Sequence, residues 1–457
     1  MDEPDFRPAD AEEARPSRRR VILFLLVPAV AALALLLWLR FNLRAAGQVS
    51  VEALDSAPSF QPAPPTDYAD CWQAVREFRL KAYADCVQTP VQKVMAQALE
   101  DFYQARYPES DQGFQQVLQD AQAPQDLRRR AFRAWAESLL MRELWMEYRD
   151  AMVYFPSLAR ESGLDPDGDV LARAFMGKPG QKIDFPPQGN ARTALSQALT
   201  GQPQVEVKIN GRSYDFLLDT GASLSVLSST VAEEAGVEPA SQVSGNVNDV
   251  EEIRFFPALV PELEMGSLRV RNLPVAIIDS EHLSFGLAGI DLLKVDGILG
   301  WTLIRRLRIE LDLRQGTARF SPPAPPTTQR NVFWSGCPMV LLHTQDGTPA
   351  LLGIDTGAQS SEIRSRLIRR LGLASQGDSH LSIGVGRRQR VTVQTVQDLD
   401  LILGRHRLHF DSISTGEGLL ALFFIDPDGQ LGFNIAYKTG LTLDFTSGRL
   451  DLGVSSN

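Results

Sequence analysis

Two short segments carry the residues best suited to chemistry. The first reads Phe216-Leu217-Leu218-Asp219-Thr220-Gly221-Ala222-Ser223, and the second reads Leu352-Gly353-Ile354-Asp355-Thr356-Gly357-Ala358-Gln359, 136 residues later. Hydrolysis of a peptide bond without a metal or a covalent nucleophile needs a base to activate water and an acid to protonate the developing oxyanion or amine. Two carboxyls a few ångströms apart supply both. They cannot both ionise easily, so one pKa falls, the other rises, and the pair titrates as a unit around a shared proton. Asp219 and Asp355 would be that dyad. Gly221 and Gly357 permit the backbone turn and the close approach of a facing loop, while Leu217, Leu218 and Ile354 keep surrounding water out.

A single Asp-Thr-Gly is weak evidence, since average composition produces one by chance in roughly one chain in ten of this size. An isolated copy reads as a turn in which the Asp caps local backbone N–H groups. The pair is different because its surroundings repeat as well. The turn pairs Asn210-Gly211 and Asp346-Gly347 share the 136-residue offset, so each copy sends the return strand of a hairpin into Asp-Thr-Gly-Ala. Downstream, Asp296-Gly297-Ile298-Leu299-Gly300-Trp301 corresponds to Asp428-Gly429-Gln430-Leu431-Gly432-Phe433 at an offset of 132, as do Leu311-Asp312 and Leu443-Asp444. Pro322 to Pro326 separate the copies.

With these motifs in place, the chain resembles the aspartic peptidases of the retropepsin and pepsin type over about residues 204 to 453. Ala222 and Ala358 after the glycines are closer to retropepsins and bacterial retropepsin-like proteins than to pepsins. Both lobes lie in one chain, as in pepsins. The resemblance implies a duplicated all-β fold, the two Asp-Thr-Gly loops meeting at the interface of the lobes, and an aspartic endopeptidase acting on protein or peptide substrates without a cofactor. It implies that Thr220 and Thr356 hydrogen-bond across the interface. It also implies glycine-containing flaps over an extended peptide, for which Gly245 in Ser244-Gly245-Asn246, and Gly384 and Gly386 in Ile383-Gly384-Val385-Gly386, stand at about the right place. Both segments read equally well as ordinary hairpin turns. A catalytically inactive peptide-binding or scaffold protein on the same lobes is the competing expectation, and pairing of lobes between chains is a variant of the first.

The remaining elements must carry and position these lobes. At 457 residues the chain has room for two to four domains. Val21 to Leu39 is a run of 19 residues without a charge, long enough at about 1.5 Å per residue to cross a bilayer core. Arg15, Arg18, Arg19 and Arg20 precede it, which predicts a cytoplasmic N-terminus and lobes exported to the periplasm from a single-pass inner-membrane anchor. A cleaved signal peptide fits less well, because the apolar stretch is too long and no Ala-x-Ala site follows. The expected order is a cytoplasmic tail at 1–20, a transmembrane helix at 21–39 in contact with the lipid bilayer, and a proline-rich spacer at 45–67. A helical-hairpin domain follows at 68–175, faintly similar to tetratricopeptide repeats but without a clean 34-residue period, with a protein partner or a stalk role as its expected uses. A linker at 176–203, lobe 1 at 204–321, a second linker at 322–329 and lobe 2 at 330–453 complete the chain.

Other chemistries find little support. A net charge of −10 argues against general nucleic-acid binding. No Walker loop, dinucleotide loop or Gly-x-Ser-x-Gly elbow occurs. His406 and His409 are too far apart for one strand face, so no metal is expected. Cys71 and Cys86 are expected to form a disulfide in an oxidising compartment, with buried free thiols as the alternative, and Cys337 has no evident partner.

Overall fold

The computed structural model describes residues 49–60, 68–164, 167–198, 200–241, 243–246, 253–287, 290–384, 387–416 and 424–453. The predicted membrane segment at 21–39 lies outside them. Among the described residues no helix is long and apolar enough to cross a membrane.

Among the described residues, eight helices follow the strand Val49–Ala53: α1 (Trp72–Arg76), α2 (Leu80–Cys86), α3 (Pro90–Tyr103), α4 (Tyr107–Gln119), α5 (Gln125–Met141), α6 (Trp145–Tyr154), α7 (Pro156–Glu161) and α8 (Asp167–Phe175). Thr89 and Gln92 form a capping box at the start of α3, with proline at its first position. The apolar stripe of α3, with Met95, Leu99 and Phe102 fully buried, packs on Phe114, Val117 and Leu118 of α4. Three of the turns between helices use one device. Phe78, Ala105 and Glu143 take φ of 57°, 59° and 61°, and the next amide bonds back five residues, Arg79 to Ala74, Arg106 to Asp101 and Leu144 to Leu139. Glycine usually fills this left-handed position, so composition does not announce these helix ends. A disulfide joins Cys71 to Cys86, at the two outer ends of the α1–α2 hairpin.

This array packs directly on the β lobes. Phe78 meets Phe333 with ring centroids 4.7 Å apart, Phe102 meets Trp334 at 6.0 Å, and Trp72 meets Phe424 at 5.1 Å. On the lobe 1 side, Arg306 pairs with Glu143 at 2.5 Å. The core is accordingly continuous from the helices into both lobes.

Each lobe opens with an antiparallel hairpin, Pro203–Ile209 with Arg212–Leu218 and Pro338–His343 with Pro349–Ile354. In the first, Asn210 and Gly211 both have positive φ (51° and 79°), the type I′ geometry that matches strand twist. The second has a five-residue connection, with only Gly347 in the left-handed region. The return strands then pair in parallel with the downstream motif: Leu218 opposite Leu299, and Ile354 opposite Leu431. A shared sheet ties the lobes together. Arg308–Asp312 of lobe 1 runs antiparallel to Leu441–Asp444 of lobe 2, with Ile309 opposite Leu443 and Glu310 opposite Thr442. Glu310 and Thr442 are equivalent positions in the two copies, so a local two-fold axis passes between them. The lobes therefore pair within one chain.

Two segments differ from the sequence expectation. Residues 176–203, expected to be a linker from their Gly and Pro content, contain the strands Lys182–Asp184 and Ala191–Gln197. The first pairs with Arg269–Arg271, reinforced by Arg271 donating to Asp184 at 2.7 and 3.1 Å. The second lies between Thr317–Phe320 and Pro203–Val205. In the expected spacer, Val49–Ala53 forms a strand against His406–Phe410, and the Phe60 ring stacks on His343 at 4.4 Å. In both cases a polar-looking segment is held by backbone pairing to strands distant in sequence, which its own side chains do not signal.

Replacing both Cys71 and Cys86 by serine is expected to lower stability by about 3 kcal/mol, the loop-entropy value for a bridge of this span. Urea unfolding followed by the helical signal measures it, and an unchanged midpoint would refute the bridge as a staple of the helical array.

Candidate active site

The two Asp-Thr-Gly loops meet at the local two-fold axis, and the contact between them is made by the threonines. Thr220 Oγ1 donates to Ile354 O at 2.7 Å and accepts from Thr356 N at 3.0 Å. Thr356 Oγ1 donates to Leu218 O at 2.6 Å and accepts from Thr220 N at 3.0 Å. Both threonines are buried. A hydroxyl is a donor and an acceptor at once, so each threonine satisfies one amide and one carbonyl of the opposite lobe. Valine has the same shape and could do neither.

The strands beneath support the loops in the same way in both lobes. Asp219 N donates to Leu299 O at 3.0 Å and Asp355 N to Leu431 O at 2.9 Å. Gly300 N donates to Ser225 Oγ at 3.0 Å and Gly432 N to Ser361 Oγ at 3.1 Å. Trp301 N and Phe433 N close the loops onto Ala222 O and Ala358 O. The repeated Leu-Gly-aromatic segment thus fastens the Asp-Thr-Gly loop from below, which explains why it repeats with it.

Asp219 and Asp355 face each other, half-buried, with their carboxyls hydrogen-bonded together. Gly221 N donates to Asp219 Oδ1 at 2.7 Å, and Ala358 N to Asp355 Oδ1 at 3.0 Å. The glycines of the two loops lie against the opposite carboxyl: a Cβ on Gly221 would come within 2.8 Å of Asp355 Cγ, and one on Gly357 within 2.5 Å of Asp219 Cγ. Only glycine allows the carboxyls to approach this closely. Burial raises the pKa of both acids. It carries Asp355 well above the usual carboxylate range, helped by the facing Asp219. Asp219 is also raised by burial, against which the amide of Gly221 and the Asp355 hydroxyl act. The residue pattern predicts that one member falls; desolvation outweighs the donors and keeps both up. The two acids therefore titrate as a pair that holds a shared proton to higher pH than an ordinary carboxyl does.

Sequence reasoning missed two neighbours. Gln430 Nε2 donates to Asp355 Oδ2 at 2.5 Å; its place in the repeat, where lobe 1 has Ile298, was a signal that could have found it. Cys337 is buried, and desolvation, with the charge of Asp355 adding to it, pushes its thiol up to about 12 and keeps it from acting as a thiolate. Gly245 lies in a two-residue strand, Gly245–Asn246, paired with Arg254 and Phe255. Gly384 ends a strand of the long hairpin Gln376–Gly384 with Arg387–Leu403. Gly386 lies outside the described residues.

The family model for aspartyl proteases matches residues 205–303, from the opening hairpin of lobe 1 through the helix after Gly300. Among solved structures the chain is similar to a retropepsin-like aspartic protease from Rickettsia conorii, with 16% identity over 31% of this chain and 94% of that one and a TM-score of 0.21. No curated protein matches. The family match supports the resemblance to retropepsin-like aspartic peptidases that the repeated motifs carry. It supports a hydrolase of the protease type with a peptide or protein substrate.

Thr220→Val orphans the buried Thr356 amide and Ile354 carbonyl together, each costing about 1–3 kcal/mol. Denaturant unfolding should show a loss of about 3 kcal/mol, with Thr220→Ser retaining most of the stability. Equal behaviour of the two variants would contradict the role assigned to the hydroxyl.

Proposed function

We propose that this chain is a membrane-anchored aspartic endopeptidase in which Asp219 and Asp355 activate a water molecule. The observation that carries this reading is the crossed threonine contact, which sets two carboxyls against each other in a half-buried position. A water between the carboxyls would give a proton to ionised Asp219 as its oxygen attacks the scissile carbonyl carbon. Protonated Asp355 would give its proton to the carbonyl oxygen, leaving a neutral tetrahedral diol. In the collapse Asp219 would pass its proton to the leaving nitrogen as the C–N bond breaks, and Asp355 would take the proton of one diol hydroxyl as that oxygen becomes the new carbonyl, which restores the starting protonation of the pair. The hairpins carrying Gly245 and Gly384 would cover the extended substrate.

Anchoring rests on the uncharged run Val21–Leu39 and the arginines before it, with the lobes on the periplasmic side. The full chain is then expected in the membrane fraction and resistant to alkaline carbonate; recovery in the carbonate supernatant would refute an integral anchor.

Cleavage of a peptide library tests the chemistry. Asp219→Asn and Asp355→Asn should each lower the rate by about a thousandfold. If all three proteins behave alike, the scaffold reading replaces this one.

The raised pKa values also fix the direction of the pH dependence. Activity needs one proton on the pair, so it rises as the pair loses its first proton and falls as it loses the second, the second loss lying well above the ordinary 3.8. For stability, a folded pKa above the unfolded one means that the native state holds the proton more tightly, so stability falls as pH rises from 3.8 through the folded value. Asp355→Asn removes that loss. Its unfolding midpoint should exceed that of the wild type at neutral pH and match it near pH 3, and the reverse order would contradict the assignment.

A further inference from the structure

The two sides of the dyad are built from equivalent positions, yet their chemistry differs. In lobe 1, Ile298 stands directly across from Val226, and both belong with Leu217 and Leu224 to an apolar cluster separate from the main core. In lobe 2 the same positions are Gln430, Glu362, Gly353 and Ser360. The register supports the equivalence, because Glu362 lies across from Gln430 as Val226 lies across from Ile298.

Directly opposed residues of antiparallel strands share a face. Gln430 is on the dyad face, since its Nε2 donates to Asp355 Oδ2. Glu362 is therefore on that face too, and its chain neighbour Ile363, wholly buried in the core, takes the other. Leu227 is likewise wholly buried next to Val226. The wall beside Asp219 is aliphatic, while the wall beside Asp355 carries the Glu362 carboxylate, which lies against Gly416, and an amide whose Nε2 is engaged with Asp355, leaving its Oε1 as an acceptor.

We propose that this asymmetry sets substrate choice: the residue flanking the scissile bond against lobe 1 is aliphatic or aromatic, and the one against lobe 2 carries a hydrogen-bond donor, as Lys, Arg, Asn and Gln do. The proposal rests on the peptidase reading above. A leucine against lobe 2 would cover the Gln430 Oε1 and the Glu362 carboxylate and return no hydrogen bond to either, whereas a donor-bearing side chain gives one. Against lobe 1 the preference inverts, because a polar group there meets only methyl groups.

The test uses the full chain in detergent and peptides randomised at the two residues flanking the scissile bond. Wild type should favour one apolar and one donor-bearing flank over two apolar flanks by about tenfold or more in kcat/KM. The double variant Glu362→Val with Gln430→Ile, which rebuilds the lobe 1 pair in lobe 2, should reverse that ratio. Because Gln430 touches Asp355, absolute rates will fall as well, and the ratio between peptides is the readout. Glu362→Gln, which keeps the shape, should lose the advantage of Lys and Arg but keep that of Asn and Gln. A wild-type preference for two apolar flanks, or a ratio unchanged in the variants, overturns the proposal. If wild type cuts nothing, the peptidase reading fails separately, and calorimetry with reduced-amide peptides bearing the same flanks decides. A tenfold affinity difference sustains the asymmetric subsites, and equal affinity or no binding overturns them.

Discussion

Two carboxyl groups pressed together away from bulk water repel one another and resist ionisation, and the architecture follows from holding them there. The burial that raises the pKa of Asp219 and Asp355 is a cost to folding at neutral pH. Opposing it are four short hydrogen bonds between Thr220, Thr356 and the opposite backbone, all away from solvent and so worth more than surface contacts. Without them the loops would be joined only through the carboxyls they are meant to hold, since Gly221 and Gly357 contribute no side chain. The glycines are needed for the opposite reason: any Cβ there would collide with the facing carboxyl.

Pseudo-symmetry organises the supports, and small departures from it make the halves chemically distinct. The serine, leucine and glycine contacts beneath each loop repeat nearly atom for atom, because both loops need the same turn. Side chains facing the cleft are under no such constraint. Gln430 in place of Ile298 adds a donor to Asp355 alone, so the two acids differ in surroundings. A single chain can evolve such differences independently in each lobe, which two identical chains cannot.

The helical array is part of the same body rather than an appendage. Aromatic contacts from α1, α3 and the turn at Phe78 reach lobe 2, and Glu143 reaches Arg306 in lobe 1. Asp167 at the start of α8 accepts from Asn246 N at 3.0 Å, beside the strand that holds Gly245. The array thus braces both lobes at once, and the strand at Val49–Ala53 adds a further edge contact to lobe 2.

The sequence by itself determined the number of lobes, the positions of both aspartates and their supporting motifs, and the pairing of the threonines by resemblance. These are legible because duplication writes the same local requirement twice, and a repeated turn with a repeated strand cannot be mistaken for composition. Only the tertiary structure decided what depends on neighbours far along the chain. The strands at 182–184 and 191–197 exist because sheet edges from residues 269–271 and 317–320 accept them. Phe78, Ala105 and Glu143 end helices without the glycine that would mark those ends. The joining of the lobes through Ile309 and Leu443, and the proton affinity of Asp355, likewise arise from groups more than a hundred residues away. Their effect comes from exclusion of water and from contact, which no local pattern records.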